Sequence, residues 1–165
     1  MTDERLGDGL WAALRRLPRG SGVVFRHYAT AARERRMLFR RVARIARARG
    51  LVVVRAGKQA GFGEDGVHGR GPGQGLRTAP AHDRREAVAA MRRGADVLFV
   101  SPVFATRSHP GAEALGARKA RRIAQGLPVI AIALGGMDSR RFRTLAGFDG
   151  WAAIDAWRSL GSGAK

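Results

Sequence analysis

The chain has 165 residues, so a single domain (residues 1–165) is the natural expectation. It carries 31 Lys plus Arg against 13 Asp plus Glu, a net charge of +18, and its 45% hydrophobic content suffices for a packed core, which argues against a disordered chain. No apolar run approaches the ~20 residues of a membrane helix; the polar start MTDERLGDGLW has neither signal-peptide nor transit-peptide character; and the absence of cysteine removes disulfides, thiolate metal sites and Cys nucleophiles, consistent with a cytoplasmic home.

In chain order, residues 8–17 predict a short helix, and GVVFRHY (Gly22–Tyr28) predicts the first clear strand. Residues 31–49 predict the longest helix, with Leu38, Val42 and Ile45 on one face, Arg36, Arg40, Arg44 and Arg47 on the other, and Gly50 as its C-terminal stop. Strands follow at Leu51–Gly57, Asp65–Gly69 and Leu76–His82. Asp83 caps a helix running through Arg93, with Glu86 as its capping-box partner. Ala95–Phe104 and Leu127–Gly136 are the strongest strands, separated by a helix over 112–125. A short helix begins at Asp138 or Ser139 and ends near Gly147, and Asp149–Trp157 is the seventh strand. Continuous β-branched runs alternating with helices predict an α/β fold with a parallel sheet. The glycine-rich, helix-poor interval 57–76 predicts shortened connections within one domain.

In such folds ligands sit at the carboxyl ends of the strands. Standing there are Arg26, His27 and Tyr28; Arg55 and Lys58; His68 and Arg70; His82; the loop Ser101–Gly116; Gly135-Gly136-Met137; and Asp155. Paired glycines before a helix let backbone amides approach a phosphate, although an ordinary turn needing positive φ reads the same way. Thr106 and Ser108 could add hydroxyl donors, with Arg107 adding charge. The four histidines lack metal-ligand spacing. The arginine excess (28 Arg to 3 Lys) suits phosphorylated ligands, yet it also fits solvated helix faces. With 7% aromatics and no basic module motif, nucleic acid is not the expected partner.

The runs EDGVHGRG, APAHDRRE, GADVLFVSPVFATRSH and PVIAIALGGM, in this order, resemble the thiamine phosphate synthase and thiazole tautomerase (TenI-like) family over roughly Gly22–Trp157. The resemblance implies a (β/α)₈ TIM barrel, here trimmed. Strand 1 is largely missing apart from Thr2-Asp3, which resembles the family's T-D pair, and the connections after family strands 3 and 4 are short. It implies a transferase of thiamine biosynthesis that joins hydroxymethylpyrimidine diphosphate to thiazole phosphate, releases diphosphate and uses Mg²⁺. Of the family's Q-x-R-x-K motif only Arg26 survives. The positions of the usual Mg²⁺ carboxylates fall at Arg55-Ala56 and beside Arg70, so arginine stands where the metal ligands would be, as a diphosphate-binding alternative. His82 and Glu86 keep the S-x-H-x-x-x-E frame, with Pro80 for the serine. Thr106 and Ser108 keep the T-x-T hydroxyls, while His109 replaces the lysine. Gly135 and Gly136 keep the phosphate turn, and Asp155 replaces a serine. Arg26, His82 and His109 are thus the expected catalytic set. The other readings are a thiazole tautomerase-like isomerase with His82 or His109 as proton shuttle, and a catalytically degenerate phosphate-binding barrel. Small phosphorylated pyrimidine and thiazole substrates are the expected partners, with no membrane, and a homo-oligomer is open.

Overall fold

The computed structural model describes residues 1–59, 61–106, 111 and 113–154. It divides into two compact units, Met1–Leu76 together with Ile154 and, separately, Arg77–Ala153. Within each unit neighbouring strands pair in parallel and follow chain order.

In the first unit a short 3₁₀ turn (Glu4–Leu6) and helix α1 (Gly9–Arg16) precede β1 (Gly22–Phe25), α2 (Ala32–Arg49), β2 (Val52–Ala56) and β3 (Gly66–His68). Before these elements, the chain start is tied to β1 by a single bridge. Thr2 forms a parallel bridge with Phe25, and its N–H donates to the Val24 carbonyl at 2.8 Å. Helix α2 ends on Gly50 in the left-handed region (φ 62°), as expected of a C-terminal glycine. Its buried face is rotated from the expected one: Arg35, Phe39, Val42, Ala43 and Ala46 are buried, whereas Leu38 and Ile45 are only partly so. Phe25, Phe39 and Phe62 stack edge to face or tilted, with centroids 5.2 and 5.5 Å apart. On the outside, the Arg41 guanidinium lies 3.8 Å from the Trp11 ring, fastening α1 to α2. No helix follows β2 or β3 among the described residues, which matches the expected short connections.

The second unit runs β4 (Leu76–Ala81), α3 (Arg84–Arg92), β5 (Val97–Val100), α4 (Gly116–Ala124), β6 (Ile130–Leu134), α5 (Ser139–Arg143) and β7 (Gly150–Ala152). All four residues of β5 are buried, the mark of a strand covered on both faces. Small alanines dominate its core, with Leu98, Val100, Val103 and Ile123 filling the larger spaces. Asp83 and Asp138 cap α3 and α5, accepting from the N–H groups of Glu86 and Arg141, both at 2.8 Å. Helix α5 is shorter than expected, with Thr144 as its C-cap.

One device recurs in both units. Asp65, Asp96 and Asp149 each stand immediately before a strand (β3, β5, β7). Each donates its N–H to the carbonyl of the second residue of the preceding strand: Val53, Arg77 and Ala131, at 2.9, 2.8 and 2.9 Å. Each carboxylate then accepts the N–H of that same residue, at 2.7, 2.8 and 2.7 Å. The main-chain and side-chain bonds together lock the register where the pair of strands begins, and a hydrogen bond to a charged group is worth about 1.5–3 kcal/mol.

Candidate functional site

In the second unit, β6 runs into Gly135 and Gly136, both in the left-handed region (φ 95° and 59°). Space and dihedrals together demand glycine. A Cβ on Gly135 would lie 2.8 Å from the Pro102 Cα, and one on Gly136 would lie 2.5 Å from the Ala105 carbonyl oxygen. The loop after β5 is laid directly on this turn, with the Val103 and Phe104 N–H groups donating to the Leu134 and Gly135 carbonyls at 2.8 and 3.1 Å. The half-buried Thr106 follows one residue beyond the Ala105 contact. Ser108 and His109 lie outside the described residues, as do Arg107 and Asp155.

Sequence reasoning missed one cation here. Arg141 of α5 donates through Nη1 to the Gly136 carbonyl, and its guanidinium lies 5.1 Å from the Phe104 ring. It is exposed on its outer side, so it can face an anion seated on the turn. The available signal was its place just after the glycine pair, at the third residue of a capped helix, but arginine is so abundant in this chain that the position did not stand out.

His82 follows β4. Glu86 Oε2 accepts from its backbone N–H and pairs with its Nδ1, both at 2.8 Å, and the side chains are 57% and 50% exposed. Those two contacts, the backbone one first, hold the Glu86 carboxyl below the usual glutamate value. Glu86 therefore serves the residue before the helix cap rather than closing a capping box on Asp83. The result is an open imidazole–carboxylate pair with the histidine oriented and reachable.

The first unit treats its cations differently. Arg55 departs from the expectation of an anion ligand. Its side chain is 0% exposed, Nε donates to Glu64 Oε1 at 2.8 Å, and its terminal nitrogens donate to the Gly57 and Pro72 carbonyls. The guanidinium pins the glycine-rich connection and has no face left for a ligand. Its bonds also help hold Glu64 below the ordinary glutamate range, against the opposing pull of burial. Arg35, read as neither core nor site, is buried too. It donates to the His27 and Ala56 carbonyls, both at 2.6 Å, tying the ends of β1 and β2 to α2. Burial, then the nearby Arg55, lowers its pKa.

Arg26 is half-buried, with Nη1 3.6 Å from the Met1 sulfur and its guanidinium 5.9 Å from the Tyr28 ring. Burial, then the Arg26 charge, pushes the His68 imidazole down to about 4, so it is neutral near pH 7. His27 is buried, pairs through Nδ1 with the Thr2 hydroxyl at 3.2 Å and stacks on Phe25 at 4.6 Å, which makes it a structural histidine. Arg70 is exposed.

Among the described residues, no three histidines, aspartates or glutamates come together as a metal-ligand set. At the two positions where the resemblance implies Mg²⁺ carboxylates, the chain has the internally bonded Arg55 and the exposed Arg70. These residues do not fit Mg²⁺, which asks for oxygen ligands. Among the described residues, no helix is long and apolar enough to cross a membrane.

Residues 78–157 match the family model for thiamine monophosphate synthase. The thiamine-phosphate synthase of Chloroflexus aurantiacus is 38% identical over 87 residues, 51% of this chain and 40% of that protein. That of Geobacillus kaustophilus is 38% identical over 86 residues, 50% of this chain and 39% of that protein. The matched stretch thus spans about two fifths of these relatives' length. Among solved structures, a thiamine phosphate pyrophosphorylase from Pyrococcus furiosus superposes with a TM-score of 0.78 at 22% identity, covering 93% of this chain and 83% of that one. That likeness shows the α/β fold. The family-model match, residues 78–157, takes in the glycine turn, Thr106 and the His82–Glu86 pair, and over that stretch the chain is similar to thiamine monophosphate synthases.

Proposed function

We propose that this chain is a thiamine phosphate synthase-like transferase built on a trimmed (β/α)₈ barrel domain. In this reading its seven strands correspond to family strands 2–8, and Thr2-Asp3 is the remnant of the first. The observation that carries the reading is the glycine turn. Gly135 and Gly136 meet the loop that leads to Thr106 so closely that no side chain fits, and Arg141 stands beside them. Such a turn suits the phosphate of a thiazole phosphate, held by main-chain amides, the Thr106 and Ser108 hydroxyls and the Arg141 charge.

In the reaction so read, the bond from the pyrimidine methylene to the diphosphate oxygen breaks with its electron pair leaving on diphosphate. The thiazole nitrogen then donates its pair to the methylene carbon. Protein groups act by placing the rings and by stabilising the charge that develops on the leaving group. Arg26 is the residue assigned to the diphosphate, with the exposed Arg70 as a second cation. Arg55 drops out of that role because its donors are bound inside the protein. No step is assigned to Mg²⁺.

A second reading, a tautomerase-like isomerase, is favoured by one observation: the exposed His82 imidazole held 2.8 Å from Glu86, an arrangement suited to carrying a proton.

The deciding experiment mixes the chain with hydroxymethylpyrimidine diphosphate and thiazole phosphate and follows thiamine phosphate and diphosphate, with Mg²⁺ and with EDTA. Product formation that persists in EDTA is the expected result. Thiazole phosphate binding measured alongside, by calorimetry, separates the outcomes. Binding without product reduces the chain to a phosphate-ligand binder, and no binding by the folded chain overturns the reading.

A further inference from the structure

Helix α2 carries an arginine ladder that the proposed chemistry does not use. Arg33, Arg36, Arg40, Arg44 and Arg47 recur every three or four residues, which places them along one side of the helix over about 21 Å. All five are exposed. The 18 residues of the helix include a single acid, Glu34. Among the described residues no carboxylate pairs with any of the five. The Arg36 guanidinium lies 5.5 Å from the Phe62 ring, and Arg47 makes one 3.4 Å bond to the Gly63 carbonyl. The side chains of Arg33, Arg40 and Arg44 make no hydrogen bond or ion pair with any described residue.

A helix that merely faces water gains from opposite charges at i,i+4 and loses about 0.2–0.5 kcal/mol for each like pair. The ladder contains four consecutive like pairs, at 33–36, 36–40, 40–44 and 44–47, with nothing to offset them. The packing of Phe39, Val42 and Ala46 bears that cost, and a polyanion lying along the face would relieve it.

We propose that this face of α2 binds the phosphate backbone of double-stranded nucleic acid without regard to sequence. A duplex presents one charge per about 1.7 Å of its axis, so a 21 Å ladder meets a dense row of phosphates. Guanidinium rather than ammonium is the group that grips phosphate in a fork. A membrane surface would call for aromatic or leucine wedges among the cations, and this face offers only Met37 as a large exposed hydrophobic. A single strand would call for aromatic platforms, which the face lacks. Backbone binding needs none of the base-reading motifs whose absence argued against nucleic acid in the sequence.

The test uses the full chain and a mixed-sequence 24-base-pair DNA duplex, with anisotropy followed from about 50 to 200 mM salt. The wild type is expected to bind, and the triple variant R36Q/R40Q/R44Q to bind at least tenfold more weakly, with a salt slope smaller by about 2.7 at roughly 0.9 per lost phosphate contact. The variant R85Q/R92Q/R93Q removes the same charge from α3 and its C-cap and is expected to stay within about threefold of wild type at the same slope. Equal losses in both triple variants would show that bulk charge alone drives binding and would overturn the proposal. So would wild-type binding by R36Q/R40Q/R44Q, or preference for anionic vesicles over duplex. Thiazole phosphate binding, measured on R36Q/R40Q/R44Q, is expected to be unchanged, which keeps this inference separate from the reading of the glycine turn.

Discussion

The two units begin their strands alike and finish them differently. At the starts, Asp65, Asp96 and Asp149 clamp neighbouring strands with the same pair of bonds. At the finishing ends, the first unit closes on itself: Arg35 and Arg55 drive buried guanidiniums into carbonyls and Glu64, and His27 is taken up by Thr2 and Phe25. The second unit closes through backbone contact at Gly135 and Gly136 and leaves Arg141 and the His82–Glu86 pair facing out. The family match begins at residue 78, almost where the second unit begins. Arg35, Arg55 and His27 in one unit have gone into holding the fold, while the other has kept Arg141 and His82 at its surface, where a ligand can use them.

The sharpest way to break this contrast is Arg55→Met. The pair is buried, with side-chain exposures of 0% and 7%, so removing one partner strands the Glu64 carboxylate and should cost about 3–5 kcal/mol in denaturant unfolding. A loss under about 1 kcal/mol would mean that Arg55 is free for another task. The pH dependence should agree. Glu64 titrates below its unfolded value of 4.5, so the unfolded chain takes up the proton first, and this contribution is present above pH 4.5 and fades as the pH falls through the lower folded value. In Arg55→Met that acid-side loss should shrink or reverse.

Next in size is Gly136→Ala. A left-handed alanine costs about 1–2 kcal/mol, and the clash with the Ala105 carbonyl adds to it. Thiazole phosphate binding should disappear with the altered turn, and retained binding would disconnect the turn from the ligand.

Asp149→Ala removes one clamp and should cost about 2 kcal/mol. Asp65→Ala should cost a similar amount, since the bonds are the same; a large disparity between them would undo the claim that the two units start alike.

Arg141→Ala should be the mildest for stability, yet it should weaken thiazole phosphate binding about tenfold, equivalent to ~1.4 kcal/mol. Unchanged affinity, read by calorimetry, would remove Arg141 from the site.

The seven strands and five α-helices of the described residues were legible because their signals are local. Val52–Val54 and Val97–Val100 are continuous apolar runs, Asp83 and Asp138 announce their helices, and Gly50 closes α2. The glycine turn was legible through its motif. The roles of Arg35 and Arg55 were not, because an arginine in a helical pattern reads as surface, one at a strand end reads as an anion ligand, and their partners lie far along the chain: Ala56 is 21 residues from Arg35, and Pro72 is 17 from Arg55. The same holds for the clamps, whose bonds join residues 12, 19 and 18 positions apart. Only the fold brings such groups together.

The stacking of Trp11 beneath Arg41 has a practical use. An indole pressed against a guanidinium emits according to whether α1 is docked on α2, while Trp151 on β7 reports from the other unit. With Trp157 replaced by phenylalanine, single-tryptophan versions of the chain would give each half its own optical signal. Two melting curves recorded side by side would then reveal whether the halves come apart in one cooperative event or in succession.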